Sequence, residues 1–171
     1  MTFRSIAAPL ALAVSLVAGQ AAAADLVLTM TGGGNATPGQ TKTFTINTSS
    51  AALGVPPGLE IKVELDSDLI TGISASNFSL SGPGWTCDNV EFYQCTRTSG
   101  VAAGSPLPPI TLTVEVESGP GPYSMCFEVS HGVNAGTQPD QNAGNNRACV
   151  NGNISAALGR AQRLDRGTNT R

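Results

Sequence analysis

Basic residues and histidine are scarce in this chain of 171 residues, which contains nine lysines and arginines and a single histidine, His131. Residues 25–150 carry four basic side chains against eleven acidic ones, a formal charge of −7. A protein with a net negative charge repels nucleic acid, because nucleic-acid binding relies on contacts between basic side chains and phosphates. We therefore expect no nucleic-acid partner.

The chain also lacks the residue patterns of common metal, redox and hydrolytic centres. Zinc sites need four clustered ligands, usually closely spaced cysteines or histidines, and thioredoxin-like centres need two cysteines separated by two residues. Neither pattern occurs, and no GxSxG elbow accompanies His131. Paired carboxylates of the glycosidase type stay open, because their separation in space is invisible in a sequence. We predict a protein that is not an enzyme and has no metal or other cofactor.

Long apolar runs are absent outside the first 24 residues. That segment has Arg4 in a short leader, an uncharged apolar run over 6–19, and small residues at Ala22 and Ala24. This is the pattern of a signal peptide that is removed before Asp25. No later stretch approaches the ~20 apolar residues of a membrane-spanning helix. We predict a secreted or periplasmic protein with no transmembrane segment in the mature chain.

Apolar and polar residues alternate along 25–150, whereas helical periodicity is nearly absent. In 110–117, ITLTVEVE, four aliphatic residues would face one side of a strand, and the threonines and glutamates between them would face the other. The segment 59–67, LEIKVELDS, has the same alternation. Turn-rich segments such as GVPPG and SGPG separate these stretches. The predicted strands are 26–30, 41–47, 59–67, 75–81, 90–96, 110–117, 124–130 and 146–152. Seven to eight short strands at this spacing predict an all-β antiparallel sandwich that forms a single domain over 25–150.

The four cysteines of the chain are Cys87, Cys95, Cys126 and Cys149. An even number in an oxidising compartment indicates disulfides, although four cysteines allow three connectivities. Hairpin registers that pair the first with the second, and the third with the fourth, suit the predicted strands. The second register also sets Glu128 opposite Arg147, a favourable cross-strand pair. We predict these two disulfides and expect them to stabilise a core with few aromatic residues.

Several ordered motifs in 25–150 resemble a bacterial extracellular family. They are DLVLTM, PGQTKTFTI, GWTC with YQCT, PLPPITLTVEV and NAGNNRACV. Together they resemble the repeat domain catalogued as domain of unknown function eleven, and the last motif resembles the ending of the related cell-adhesion-related domain of bacteria. The resemblance implies an immunoglobulin-like β-sandwich of a kind that is commonly repeated in bacterial surface and secreted proteins. This chain departs from that pattern in having one copy and an additional cysteine pair at 126 and 149, and we expect no wall-sorting or membrane anchor.

Two groups of residues are candidates for ligand contact. Trp85, Phe92 and Tyr93 would form a platform for a sugar if their rings were exposed. A tryptophan beside a disulfide in a sandwich more often belongs to the core, and Phe92 and Tyr93 would face opposite sides of a regular strand. Asp140 and Asn142, in DQNAGNN, offer oxygen atoms that suit calcium. With one carboxylate in that segment we favour a turn-capping role. The acidic segment ELDSDL, 64–69, is interpreted as a solvated strand edge.

The segment 151–171 reverses the charge of the preceding chain, with four arginines against Asp165. It contains a candidate helix at 154–164 that is too short to be stable alone. We predict a basic and mostly disordered tail.

These features together predict a non-catalytic binding or structural module of the bacterial envelope or exterior, with adhesion as a candidate role. The expected partner is a protein or glycan of the envelope, and the expected state is a monomer. Two alternatives stay open. One is a small secreted carbohydrate-binding or carbohydrate-active protein on the same sandwich, and the other is a subunit of a surface fibre that pairs through an edge strand.

Overall fold

Nine strands in two antiparallel sheets make up the part of the chain that the computed structural model describes, which is residues 24–51, 54–67, 70–73, 78–116, 119–131, 140 and 142–156. The strands are β1 (Leu26–Thr31), β2 (Thr41–Ser50), β3 (Ile61–Leu65), β4 (Ser79–Ser81), β5 (Thr86–Asp88), β6 (Gln94–Arg97), β7 (Ile110–Glu115), β8 (Gly121–His131) and β9 (Arg147–Ile154). A 3₁₀ turn at Ala143–Asn145 precedes β9. The predicted signal peptide, except Ala24, and most of the tail lie outside these residues.

The strands form a four-stranded sheet with the order β1-β2-β7-β4 and a five-stranded sheet with the order β5-β6-β3-β8-β9. This confirms the predicted immunoglobulin-like sandwich. The strand count exceeds the prediction because β5 has only three residues, too few to show an alternating pattern. Ile154, the first residue of the candidate helix, is instead the last residue of β9, and 157–164 lie outside the described residues. The described residues include no helix long and apolar enough to cross a membrane.

The core lies between the two sheets and follows the alternation in the sequence. Ile110, Leu112 and Val114 of β7 are fully buried, as are Ile61 and Val63 of β3. The residues between them in the sequence face outwards and are half-buried. Strands with one dry face and one wet face bury the dry faces together, which is why this pattern gives a sandwich.

Both predicted disulfides are present, and they lie on opposite faces of the five-stranded sheet. Cys87 and Cys95 occupy paired positions of β5 and β6, with Cys95 fully buried beside Val63. Cys126 and Cys149 occupy paired positions of β8 and β9, and Cys149 is exposed to solvent. One bridge therefore packs against the core and the other lies on the outer face.

Backbone and side-chain hydrogen bonds cover parts of two sheet edges. The side-chain amide of Asn89 bonds both backbone groups of Leu80 on β4: its Oδ1 accepts the N–H, and its Nδ2 donates to the carbonyl at 3.1 Å. On the opposite side, the segment 34–36 hydrogen-bonds to Asn151 and Asn153 of β9. Because exposed edges invite pairing with other chains, these contacts reduce the unpaired backbone available for such pairing.

Tyr123, near the start of β8, joins that strand to the segment after β1. Its ring is buried and its hydroxyl donates a hydrogen bond of 2.8 Å to the carbonyl of Gly34. Gly152 makes this packing possible, because a β-carbon at that position would overlap both the Gly34 carbonyl oxygen and the Tyr123 ring. Burial raises the pKa of the Tyr123 hydroxyl above its usual value of 10.0.

Candidate functional site

An acidic groove lies on the outer side of the five-stranded sheet, at the end of β3. Its volume is about 700 Å³. Most of the lining residues belong to one of two groups, carboxylates and apolar or aromatic side chains. The full set is Glu64, Leu65, Asp66, Ser67, Ile70, Glu91, Phe92, Tyr93 and Glu128. We refer to this set as the acidic groove. It combines negative charge with aromatic surface, a composition suited to contact with another molecule.

The carboxylates of the groove are brought together by the register of the strands. Glu64 on β3 is directly opposite Glu128 on β8. Lys62 Nζ lies 2.7 Å from Glu64 Oε2, and Arg147 Nη2 lies 2.9 Å from Asp66 Oδ2. The predicted register of Glu128 with Arg147 is confirmed, but the guanidinium forms its ion pair with Asp66. Within the described ranges no cationic side chain pairs with Glu128.

The rim of the groove is a loop, Asn89–Tyr93, between β5 and β6. The strand that alternation predicts from Val90 begins at Gln94 instead, so this part of the prediction is wrong. The carboxylate of Asp88 accepts the backbone N–H of Val90 at 2.9 Å and turns the chain, and Tyr93 adopts a positive φ of 43° that ends the loop. The loop exposes 87% of Val90 and 58% of Phe92 to solvent.

Contacts at both ends hold this β5–β6 loop in place. The Cys87–Cys95 disulfide closes its base, and Asn89 is bound to Leu80 of the other sheet. The Tyr93 carbonyl accepts the Leu65 N–H at 3.2 Å, and the Tyr93 ring packs edge-on against Phe78 at 5.4 Å between centroids. Two apolar side chains are thus displayed on a loop whose ends are held, which limits the backbone entropy that contact with a partner would cost.

The three aromatic candidates from the sequence have different positions. Trp85 is buried, and its Nε1 donates to the Pro108 carbonyl at 2.8 Å, so it presents no open ring face. Tyr93 is half-buried and lines the groove beside Glu91. Phe92 is exposed and lines the groove, and together with Val90 it lies in a loop where the alternating pattern predicts a strand.

Asp140 and Asn142 do not line the groove. Asp140 Oδ2 accepts the Leu26 N–H at 2.8 Å, and its Oδ1 accepts the Asn142 N–H at 2.9 Å. These bonds join the start of β1 to the segment before β9, and Asn145 reinforces them by donating to the Asp25 carboxylate at 2.8 Å. The carboxylate therefore has turn-capping bonds of the favoured kind. No three acidic, histidine or cysteine side chains are arranged to hold a metal ion among the residues described.

Neither a family model nor a curated protein matches the sequence. Solved structures do match. The solution structure of the CARDB domain of a Pyrococcus furiosus protein is 13% identical, with a TM-score of 0.50 over 80% of this chain and 99% of that domain. A crystal structure of that CARDB domain in complex with di-metal ions is 16% identical, with a TM-score of 0.48 over 79% and 96%. The third cohesin of ScaC from Acetivibrio cellulolyticus, in complex with the ScaB dockerin, is 15% identical, with a TM-score of 0.42 over 75% and 98%.

The likeness to the CARDB domain shows the fold, and at this identity it shows nothing further. It agrees with the sandwich that the sequence motifs implied. Membership of the family of unknown function eleven stays a prediction, since no family model matches the chain.

Proposed function

We propose that this protein is a non-catalytic binding module, secreted or periplasmic, that contacts its partner through the β5–β6 loop and the acidic groove. The observation that carries the proposal is the exposure of Val90 and Phe92 on a loop held by a disulfide and by Asn89. Exposed apolar side chains on a fixed scaffold beside a groove are typical of contact surfaces. An adhesion-related role in the envelope is the form of this function that the sequence resemblance favours.

The location outside the cytosol is supported by the two disulfides, which persist in oxidising compartments. The leader at 1–24 and the absence of later long apolar runs support export of the mature chain in particular. A monomer is the state that we propose, because contacts of Asn89 and of the segment 34–36 cover parts of two sheet edges. The same contacts give a fibre subunit the least support of the three candidate functions.

The proposal is tested by capture from envelope and culture-medium fractions of the source organism with the immobilised wild-type chain, a Val90→Ser/Phe92→Ser variant and an Asn35→Ala control. Asn35 is exposed and lies away from the groove. Partners retained by the wild type and the control, but lost by the loop variant, should bind the wild type saturably when purified. Equal capture by all three proteins, or no saturable partner, would contradict the proposed surface.

A carbohydrate ligand is the second candidate, and it is favoured by one observation: Phe92 and Tyr93 line a groove that also contains carboxylates. Sugars stack on aromatic rings, and their hydroxyl groups donate hydrogen bonds to carboxylates. Affinity electrophoresis of the folded chain in gels containing envelope polysaccharides tests this. Retardation that Phe92→Ser abolishes would support a sugar ligand, whereas unchanged mobility in every polysaccharide would exclude those sugars. Release of reducing ends in the same samples would reveal glycoside cleavage and contradict a non-catalytic module.

A further inference from the structure

The acidic groove holds more negative charge than nearby cations neutralise. Like charges directly opposite each other in neighbouring strands lower stability, and Glu64 faces Glu128 in this way. Lys62 and Arg147 pair with Glu64 and Asp66, but among the described residues neither Glu91 nor Glu128 has a cationic partner. Departures from good strand pairing are expected where a protein keeps residues for contact with another molecule. A cation supplied from outside would relieve the repulsion.

The apolar part of the surface limits what that cation can belong to. Val90 and Phe92 adjoin Glu91 in the loop, and Phe92 also lines the groove together with Ile70. A metal ion or a small amine would neutralise charge but would leave these side chains exposed. Nucleic acid would bring phosphates to a negative surface. A neutral sugar would leave the carboxylates without a counter-charge.

We infer that the partner contacts the acidic groove with a polypeptide segment in which lysine or arginine residues alternate with apolar residues. This inference rests on the proposed function and specifies the class of its partner. The basic side chains approach Glu91 and Glu128, and the apolar ones cover Val90 and Phe92. Electrostatic complementarity of this kind sets specificity and association rate, while burial of the aromatic side chain supplies affinity.

The test uses the full mature chain and a fluorescently labelled short peptide in which arginine or lysine alternates with leucine. Two matched peptides replace all basic residues with glutamate or all leucines with serine. Protein variants are Glu91→Gln/Glu128→Gln, the single changes Glu91→Gln and Phe92→Ser and, as a charge-matched control for Glu91→Gln on the other sheet, Glu115→Gln. Circular dichroism and a mass measurement of the intact disulfides establish that each variant is folded.

We expect saturable binding of the peptide in which basic residues alternate with leucine, and no saturable binding of either matched peptide. The double glutamine variant should weaken it by about tenfold, equal to about 1.4 kcal/mol. Phe92→Ser should weaken it at least as much, and Glu115→Gln should leave it unchanged. Raising the salt concentration from about 0.05 M to about 0.5 M should lower the affinity, because the charges are screened. Equal affinity for the glutamate peptide, or insensitivity to the groove variants, would overturn the inference.

Two further outcomes separate this inference from its alternatives. If the peptide fails to bind while Phe92-dependent capture of a purified partner persists, the partner class is wrong and the proposed function stands.

The chain's own segment 157–171 contains four arginines, Arg160, Arg163, Arg166 and Arg171. If replacing all four with glutamine in the full chain tightens peptide binding by tenfold or more, that segment is the occupant, and the assignment to a separate partner is overturned.

Discussion

Asn89 provides the sharpest test of how the two sheets are joined. Its side chain forms two hydrogen bonds with the backbone of Leu80, a buried residue on the edge strand β4. In Asn89→Ala both bonds are lost, and the Leu80 N–H and carbonyl no longer have their side-chain partner. A net hydrogen bond contributes about 1 kcal/mol, and a buried group left unpaired costs about 1–3 kcal/mol. Since water can reach part of this edge, we expect a loss of about 2–3 kcal/mol in the free energy of unfolding.

The conservative variant Asn89→Asp separates the two bonds. It keeps an oxygen acceptor for the Leu80 N–H, but its second carboxylate oxygen replaces the donor and faces the Leu80 carbonyl oxygen, so it should lose at least half as much, about 1–1.5 kcal/mol or more. Asn35→Ala is the matched control, because Asn35 is exposed and lies in a loop. Surface changes of that kind stay within about 0.5 kcal/mol of the wild type.

Urea unfolding of the oxidised proteins measures these differences. The chain has one tryptophan, and the burial of Trp85 makes its fluorescence a reporter of unfolding. Unchanged slopes of the unfolding free energy against urea would show that stability alone has changed. If Asn89→Ala unfolds within about 0.5 kcal/mol of the wild type, the side-chain bonds to β4 contribute nothing, and the argument for a covered edge is refuted.

Three further outcomes follow from the disulfides and from Tyr123. Replacing Cys126 and Cys149 with alanine should lower the free energy of unfolding by roughly 3.4 kcal/mol from the lost ring closure. The pair Cys87 and Cys95 closes a smaller ring worth roughly 2.6 kcal/mol, to which lost core packing is added. A loss below about 1 kcal/mol in either double variant, measured by urea unfolding, would contradict these estimates. Tyr123→Phe should cost about 1 kcal/mol near neutral pH, because the bond to the Gly34 carbonyl is lost. Since burial raises the pKa of Tyr123, its contribution is complete below pH ~10 and declines as pH rises from there towards the folded-state pKa. Stability measured across this range should fall less steeply in Tyr123→Phe, and identical slopes would contradict the assignment.

The sandwich and its disulfides could be predicted because both depend on local strand patterns. In β7 and β3 the alternation specifies which residues face the core, and the register of two hairpins decides which cysteines can meet. Phe92 shows where this reasoning stops. A single turn capped by Asp88 and a positive φ at Tyr93 override the alternating pattern, so residues predicted to lie in a strand form an exposed loop.

The acidic groove could not be predicted for a different reason. Glu64, Glu91 and Glu128 are far apart in the sequence and meet only because β3 pairs with both β6 and β8. Strand order within a sheet is a property of the whole fold, and alternation within each strand carries no information about it. The pairing of Asn89 with Leu80 likewise depends on how the two sheets pack against each other.

The placement of the disulfides on opposite faces of one sheet determines the order in which a thiol would open them. Exchange requires a thiolate to reach a sulfur atom. Each bridge has one buried cysteine, Cys126 or Cys95, and of their partners Cys149 is exposed whereas Cys87 is half-buried. A small reductant therefore releases the β8–β9 hairpin first. The covalent base of the β5–β6 loop survives that step, so the surface that carries Phe92 would outlast a partial reduction of the protein.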